Sequence, residues 1–197
     1  MRSAGIVLCG GLSSRMGWPK AWLPIGREVL LPRMVRILQE AVPVVVVVAA
    51  PSQDVPPLPI DVLVLRDAHV GLGPLAGLHA GLLHLKYEAD RVFLSSCDMP
   101  FLQPAFVNAV LNAAPSDGIA VPRVGGRLHP LASAYSVHTE PILSERLANY
   151  QLRMMDLFTV LPTKVLEEAE LPDLRSVRNI NTPEEYAAAL AELDESL

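Results

Sequence analysis

The stretch Ala4-Gly5-Ile6-Val7-Leu8-Cys9-Gly10-Gly11-Leu12-Ser13-Ser14-Arg15-Met16-Gly17-Trp18-Pro19-Lys20 decides how this chain is read. Its first six residues are a short apolar run, the pattern of a strand covered on both faces. Gly10 and Gly11 follow at once, and the loop then carries two cations, Arg15 and Lys20. Paired glycines let a backbone approach a ligand closely and turn its N–H groups toward one point. A strand that opens into a cationic glycine-rich loop is the arrangement of a polyphosphate cradle. It matches neither common phosphate motif. The glycines are not spaced as GxGxxG, and Lys20 is followed by Ala21 rather than by the Ser or Thr of a P-loop. This argues against an ordinary NAD enzyme and a P-loop kinase.

Outward from that loop, strand-like and helix-like segments alternate. Residues 44–49, 60–65, 91–96 and 119–124 read as further strands. Residues 29–41 carry Leu30, Met34, Ile37, Leu38 and Ala41 at helical spacing. Helices are also expected over 75–87 and 104–113, each opened by a proline, and over 140–150 and 183–193. Thr182 and Glu185 stand at capping-box distance before the last of these. Gly125-Gly126 should turn the chain into a second extended segment, 128–136. The pattern predicts an α/β protein: a doubly wound, mostly parallel sheet in three layers, with a small extended hairpin. In such folds ligands bind beyond the carboxyl ends of the strands. Gly10-Gly11, Asp67 and Cys97-Asp98 all fall there.

Composition bounds the reading. The 197 residues are 51% hydrophobic and 19% charged, which fits one well-buried domain and excludes a disordered chain. The longest apolar run, 41–51, is too short to span a bilayer, and residues 1–9 are too short for a signal peptide, so a cytoplasmic protein is expected. The net charge of −5 argues against nucleic-acid binding. Its distribution says more: residues 1–40 hold six cations against two acids, which draws an anionic ligand to the N-terminal segment. Cys9 and Cys97 have no metal-binding spacing and are expected to be reduced, buried thiols at strand ends.

Further motifs carry a resemblance. Leu8-Cys9-Gly10-Gly11, Ser14-Arg15-Met16-Gly17 and Pro19-Lys20 come first. Then follow Asp67, Gly73-Pro74-Leu75-Ala76-Gly77, Cys97-Asp98-Met99-Pro100, His129-Pro130 and Asn179-Ile180-Asn181-Thr182-Pro183-Glu184-Glu185. In that order and over nearly the whole chain, they resemble nucleotidyltransferases of the molybdenum cofactor guanylyltransferase type. The resemblance implies one nucleotidyltransferase domain over 1–197. It would transfer GMP from Mg²⁺-bound GTP to molybdopterin and release pyrophosphate, with at most transient contact to molybdoenzymes or cofactor-delivery proteins. Its catalytic residues would be Arg15, Lys20 and Asp98, with Asp98 the Mg²⁺ ligand. Leu8, Cys9, Gly10, Gly11, Lys20, Asp67, Gly77, Asp98, Asn179 and Asn181 would line the substrate sites, Asp67 on GTP and the two asparagines on the pterin. One departure stands out. Where that family tends to place a nucleotide-touching asparagine after the second strand, this chain has Ala49-Ala50-Pro51.

The residue types suit the chemistry. Phosphoryl chemistry is mostly positioning and charge neutralisation. A phosphate monoester, with a second pKa of ~6, is already an anionic nucleophile, so no general base is needed. A carboxylate such as Asp67 can accept from guanine N1–H and N2–H₂, a pattern cytosine lacks. Each residue also has a plainer reading: Asp98 as a turn aspartate before Pro100, Lys20 and Arg15 as exposed loop cations, the asparagines as caps of the last helix. A cytidylyl- or sugar-phosphate nucleotidyltransferase of the same fold, or a non-catalytic nucleotide-binding module, remains an alternative at this level.

Overall fold

Aliphatic runs with no polar partner on either face can be buried only between two helical layers. The computed structural model, which describes residues 1–10, 18–67 and 71–194, places them there. The chain opens with β1 (Ser3–Cys9). Then come one 3-10 turn (Lys20–Trp22), a tight hairpin of β2 (Pro24–Ile25) and β3 (Glu28–Val29), and α1 (Leu30–Gln39). Gly26, at φ +60°, makes the two-residue hairpin loop possible. Next are β4 (Val44–Ala49), β5 (Leu63–Arg66), α2 (Pro74–Leu85), β6 (Arg91–Ser96) and α3 (Pro104–Ala113). The last part holds β7 (Ile119–Val124), β8 (Arg127–Leu128), β9 (Ala132–Ser136) and α4 (Glu140–Ala148). After these come a single helical turn, α5 (Leu157–Val160), then β10 (Thr163–Leu166) and α6 (Pro183–Asp194).

The main sheet runs β10-β7-β9-β6-β1-β4-β5, with β8 folded back on β7. Strands β5, β4, β1 and β6 are mutually parallel. β9 is antiparallel to both β6 and β7, and β10 returns parallel to β7. From β1 the chain steps outward to β4 and β5, then crosses back to β6 on the other side of β1. The gap between β1 and β6 is therefore the switch point of the sheet, where an open α/β fold leaves a crevice beyond its carboxyl ends. The register pairs Leu8 with both Val48 and Ser96 and Ala49 with Arg66. Gly10, Ala50, Asp67 and Asp98 thus emerge along one edge of the sheet.

Side chains of β1 and β4 alternate between two cores. Val7, Cys9, Val45 and Val47 face Leu31, Met34, Val35 and Leu38 of α1 and Phe106, Val107 and Val110 of α3. Ile6, Leu8, Val46 and Val48 face Leu75, Leu78 and Leu82 of α2, with Leu143 and Leu147 of α4. A third, smaller cluster joins Leu23, Ile25 and Leu30 to Phe101, Ile180 and Ala189. Each of the Leu, Ile and Phe side chains among them, buried from water, is worth about 1.5–3 kcal/mol. This cluster clamps α6 onto the β2–β3 hairpin, and the Tyr186 hydroxyl adds a hydrogen bond to the Pro24 carbonyl.

Two segments differ from the sequence reading. The strand expected over 60–65 is Leu63–Arg66. Pro56, Pro57 and Pro59 offer no N–H to a ladder, and the Val62 N–H closes a turn on the Pro59 carbonyl, leaving Ile60 fully exposed. The extended segment expected over 128–136 is broken at His129–Leu131, where Ala132 N–H bonds back to the His129 carbonyl. The rest of that segment, Ala132–Ser136, is the antiparallel β9, and the short β2, β3 and β10 had no distinct periodic signal.

Candidate active site

Lys20 and Asp98 are 78 residues apart in sequence and meet at the switch point. Lys20 begins the 3-10 turn, whose Ala21 is buried against the sheet. Asp98 lies two residues past the end of β6, its backbone fixed because Cys97 N–H donates to the Leu8 carbonyl at 3.0 Å. The Lys20 ammonium donates to Asp98 Oδ2 at 2.6 Å, with side chains only 17% and 11% exposed. The other carboxylate oxygen, Oδ1, accepts from the Ser96 hydroxyl at 2.5 Å. Lys20 Nζ also donates to Asn181 Oδ1 at 2.9 Å, across 161 residues.

The Asn181 segment is itself held. Glu185 Oε2 accepts from the N–H groups of Asn181 (2.6 Å) and Thr182 (3.2 Å), and Glu185 N–H donates to Thr182 Oγ1 at 3.2 Å. That is the capping box the sequence predicted, extended by one residue. Ile180 N–H donates to the Asp98 carbonyl at 2.9 Å, tying the segment to the β6 terminus. The result is a partly buried ion pair at the strand ends, flanked by an amide, with the exposed Gly10 on the same edge of the sheet.

The model of the MobA-like NTP transferase domain matches residues 5–164, the span from β1 into β10. The chain belongs to that family. As a MobA-like domain it is a nucleotidyltransferase. It is similar to the "probable molybdenum cofactor guanylyltransferase" of Pelotomaculum thermopropionicum, 29% identical over 193 residues that cover 96% of this chain and 92% of the relative. The similarly named protein of Bacillus cytotoxicus is 32% identical, with 95% and 96% covered. The fold matches the crystal structure of molybdopterin-guanine dinucleotide biosynthesis protein A from Archaeoglobus fulgidus at a TM-score of 0.81, with 19% identity and 98% and 99% of the chains covered.

Not every predicted residue of this MobA-like domain sits alike. Gly11 and Arg15 lie outside the described residues. Leu8 and Cys9 are buried, so their backbone, not their side chains, borders the crevice. Gly77 is buried within α2, and a Cβ there would stand 2.8 Å from Leu8 Cδ2. Its bareness lets α2 pack on β1 directly beneath the site. Asp67, half-buried, follows β5, and its N–H donates to the Ala49 carbonyl at 2.9 Å. Three strand spacings separate it from the β6 terminus, about 14 Å. Asp67 is therefore not beside Asp98 but at the far end of the same row of strand ends. Asn179 is half-buried next to the Asn181 segment. His129 directs Nε2 at the Val124 carbonyl, 3.3 Å away, within its own hairpin.

The neighbourhood of Ala49-Ala50-Pro51 is occupied by Gln53. Its Oε1 accepts from Ala50 N–H at 3.3 Å, and its Nε2 contacts Cys9 Sγ at 3.3 Å, bridging the ends of β4 and β1. Arg66 Nη1 caps the same loop on the carbonyls of Ala50 and Gln53. Cys9, at the end of β1, and Cys97, just past the end of the adjacent β6, lie in the same core. The hydrogen bond from Cys97 holds the Cys9 thiol below its ordinary range, while that bond and burial push Cys97 well up. Sequence reasoning missed Ser96, Gln53 and Glu185 as neighbours of the site. Of these only Glu185 carried a signal, its spacing from Thr182.

Proposed function

We propose that this chain transfers GMP from Mg²⁺-bound GTP to the phosphate of molybdopterin or its molybdenum form, releasing pyrophosphate. It acts as one cytoplasmic domain spanning 1–197. The observation that carries the reading is the Lys20–Asp98 pair at the switch point of the sheet. A lysine and an aspartate converging there suit a triphosphate and the metal that accompanies it. The names of the similar proteins support the guanylyl and molybdopterin assignments.

In this reaction an oxygen of the acceptor phosphate attacks the α-phosphorus, and the bond from that phosphorus to the bridging oxygen breaks. The electron pair leaves with pyrophosphate. No proton must be taken from the nucleophile, which accounts for a site built of charges rather than a general base. Lys20 neutralises the triphosphate and the departing pyrophosphate. The exposed Gly10, one residue past β1, offers its backbone to the triphosphate. Asp67, about 14 Å along the strand ends, accepts from the guanine edge. Asn181, bonded to Lys20, and Asn179 two residues before it are the residues we assign to the acceptor.

Asp98 fits a metal ligand because its Oδ2 already holds a cation, the Lys20 ammonium. No cluster of three or more His, Cys, Asp or Glu gathers among the described residues. One carboxylate plus substrate phosphates is the donor set that Mg²⁺ favours. When bound, Mg²⁺ supplies charge neutralisation at the phosphoryl oxygens.

A panel of GTP, CTP, ATP and UTP with molybdopterin and Mg²⁺, read by pyrophosphate release and product mass, tests the proposal. GTP should be used well above the others. A clear preference for CTP would overturn the guanylyl assignment and the role of Asp67.

A further inference from the structure

Asp98 has one carboxylate with two oxygens, and each accepts from one neighbour. Oδ1 accepts from the Ser96 hydroxyl, a neighbour two residues away on the same strand end, within the buried floor of the site. Oδ2 accepts from the ammonium of Lys20, which arrives from a distant loop. The two partners differ in how easily they leave. The Ser96 hydroxyl is fixed by the β6 backbone. The Lys20 ammonium ends a flexible four-carbon stem and has a second acceptor, Asn181 Oδ1, to which it is already bonded. It can swing off Asp98 without losing every partner.

We propose that Lys20 is the resident counter-ion of Asp98 in the nucleotide-free protein, so that a divalent cation gains Oδ2 only after triphosphate has drawn the lysine away. The inference rests on Asp98 being the metal ligand and adds an order of events to that reading. A divalent cation and an ammonium on one carboxylate oxygen repel each other, and the side chains are too enclosed for solvent to screen that repulsion well, so the lysine opposes the metal there. Removing the ammonium vacates the oxygen and also leaves the carboxylate without its charge partner. Both effects favour a metal. Ser96, still bonded to Oδ1, keeps Oδ2 turned toward the crevice.

The test is binding of Mn²⁺ alone to the full-length protein, read from the free-ion signal in electron paramagnetic resonance. Four proteins are compared: wild type, Lys20→Met, Lys20→Met/Asp98→Asn, and Arg33→Met. Arg33 is a control cation, bonded to the Pro100 carbonyl at 3.2 Å and paired with Glu28 rather than Asp98. Lys20→Met should bind Mn²⁺ at least tenfold more tightly than wild type, the double variant should lose that site, and Arg33→Met should change affinity less than twofold. Lys20→Gln, a second neutral replacement, should repeat the Lys20→Met result if the methionine variant folds poorly by circular dichroism. If both neutral variants bind no more tightly than wild type while the double variant loses binding, the counter-ion proposal fails and the metal-ligand reading stands. An equal gain in Arg33→Met also overturns the proposal, because the effect would then be diffuse charge. If no binding in any variant depends on Asp98, the metal-ligand reading itself fails.

Discussion

Gly81, on α2, faces Ile6 of β1, and replacing it with alanine sets two effects of known size against each other. On an exposed helix the change would stabilise by about 1 kcal/mol, because alanine loses less conformational freedom than glycine. Here a Cβ would lie 2.5 Å from Ile6 Cδ1, 2.9 Å from Cγ1 and 3.2 Å from Cγ2. Both branches of the side chain are too close, so no single rotamer change clears the clash, and Ile6 is fully buried with nowhere to move. Overpacking of this kind costs about 1–3 kcal/mol on its own scale. With the helix gain deducted, Gly81→Ala should destabilise by up to about 2 kcal/mol. Urea unfolding, followed by circular dichroism, would read this as a lower midpoint at unchanged slope. Ile6→Val, which removes Cδ1, should cost about 1 kcal/mol alone. Combined with Gly81→Ala it should cost less than the sum of the two, by about 1 kcal/mol, because the worst contact is gone. A Gly81→Ala protein more stable than wild type, or strict additivity in the double variant, would refute the packing argument.

Gly118→Ala should be harsher still, since its Cβ would stand 2.0 Å from the Pro162 carbonyl oxygen, a backbone atom. That oxygen also accepts from Ile119 N–H at 2.8 Å, so β10 must part from β7; a loss of about 2–4 kcal/mol by urea unfolding is expected. Ser96→Ala removes the donor to Asp98 Oδ1 and should raise the half-saturating metal concentration on the order of 10–100-fold, with Ser96→Thr largely restoring it; steady-state metal titration checks this. Lys20→Ala should reduce turnover at saturating nucleotide by on the order of 10²–10³. Folding lowers the Glu28 carboxyl below its ordinary 4.5, chiefly through the hydrogen bond from Arg36. Its contribution is therefore complete above the unfolded value and is lost as pH falls through the folded one. Glu28→Gln should cost about 0.5 kcal/mol at pH 7 and flatten the acid limb of stability below that range, as unfolding curves at several pH values would show.

The sequence spoke most clearly where a residue's local pattern and its tertiary setting agree. The runs that became β4 and β6, and the proline-opened α3, end where they were expected, because apolar burial and backbone punctuation point the same way. Asp98 and Lys20 were legible as strand-end and loop charges, and the sheet order supplied the reason they meet. Their partners were not legible. Ser96 looks like any strand residue, and nothing local to Asn181 points 161 residues back to Lys20; the link is made by Ala189 of α6 and the preceding Ile180, which pack with Ile25 of the hairpin and Phe101. Two-residue strands carry no period to detect, which hid that hairpin. The edge strand β5 slipped because prolines upstream withhold the N–H groups a ladder needs.

The central claim is that GTP is cleaved between its α- and β-phosphates at the Lys20–Asp98 site. Single-turnover incubation with molybdopterin and Mg²⁺, using GTP labelled at the α- or the γ-phosphate, tests it directly. The α-label should appear in the pterin product and the γ-label in pyrophosphate, and both should vanish in Asp98→Asn. Release of the γ-label as inorganic phosphate with no α-label in the pterin, or full transfer by Asp98→Asn, would contradict the account.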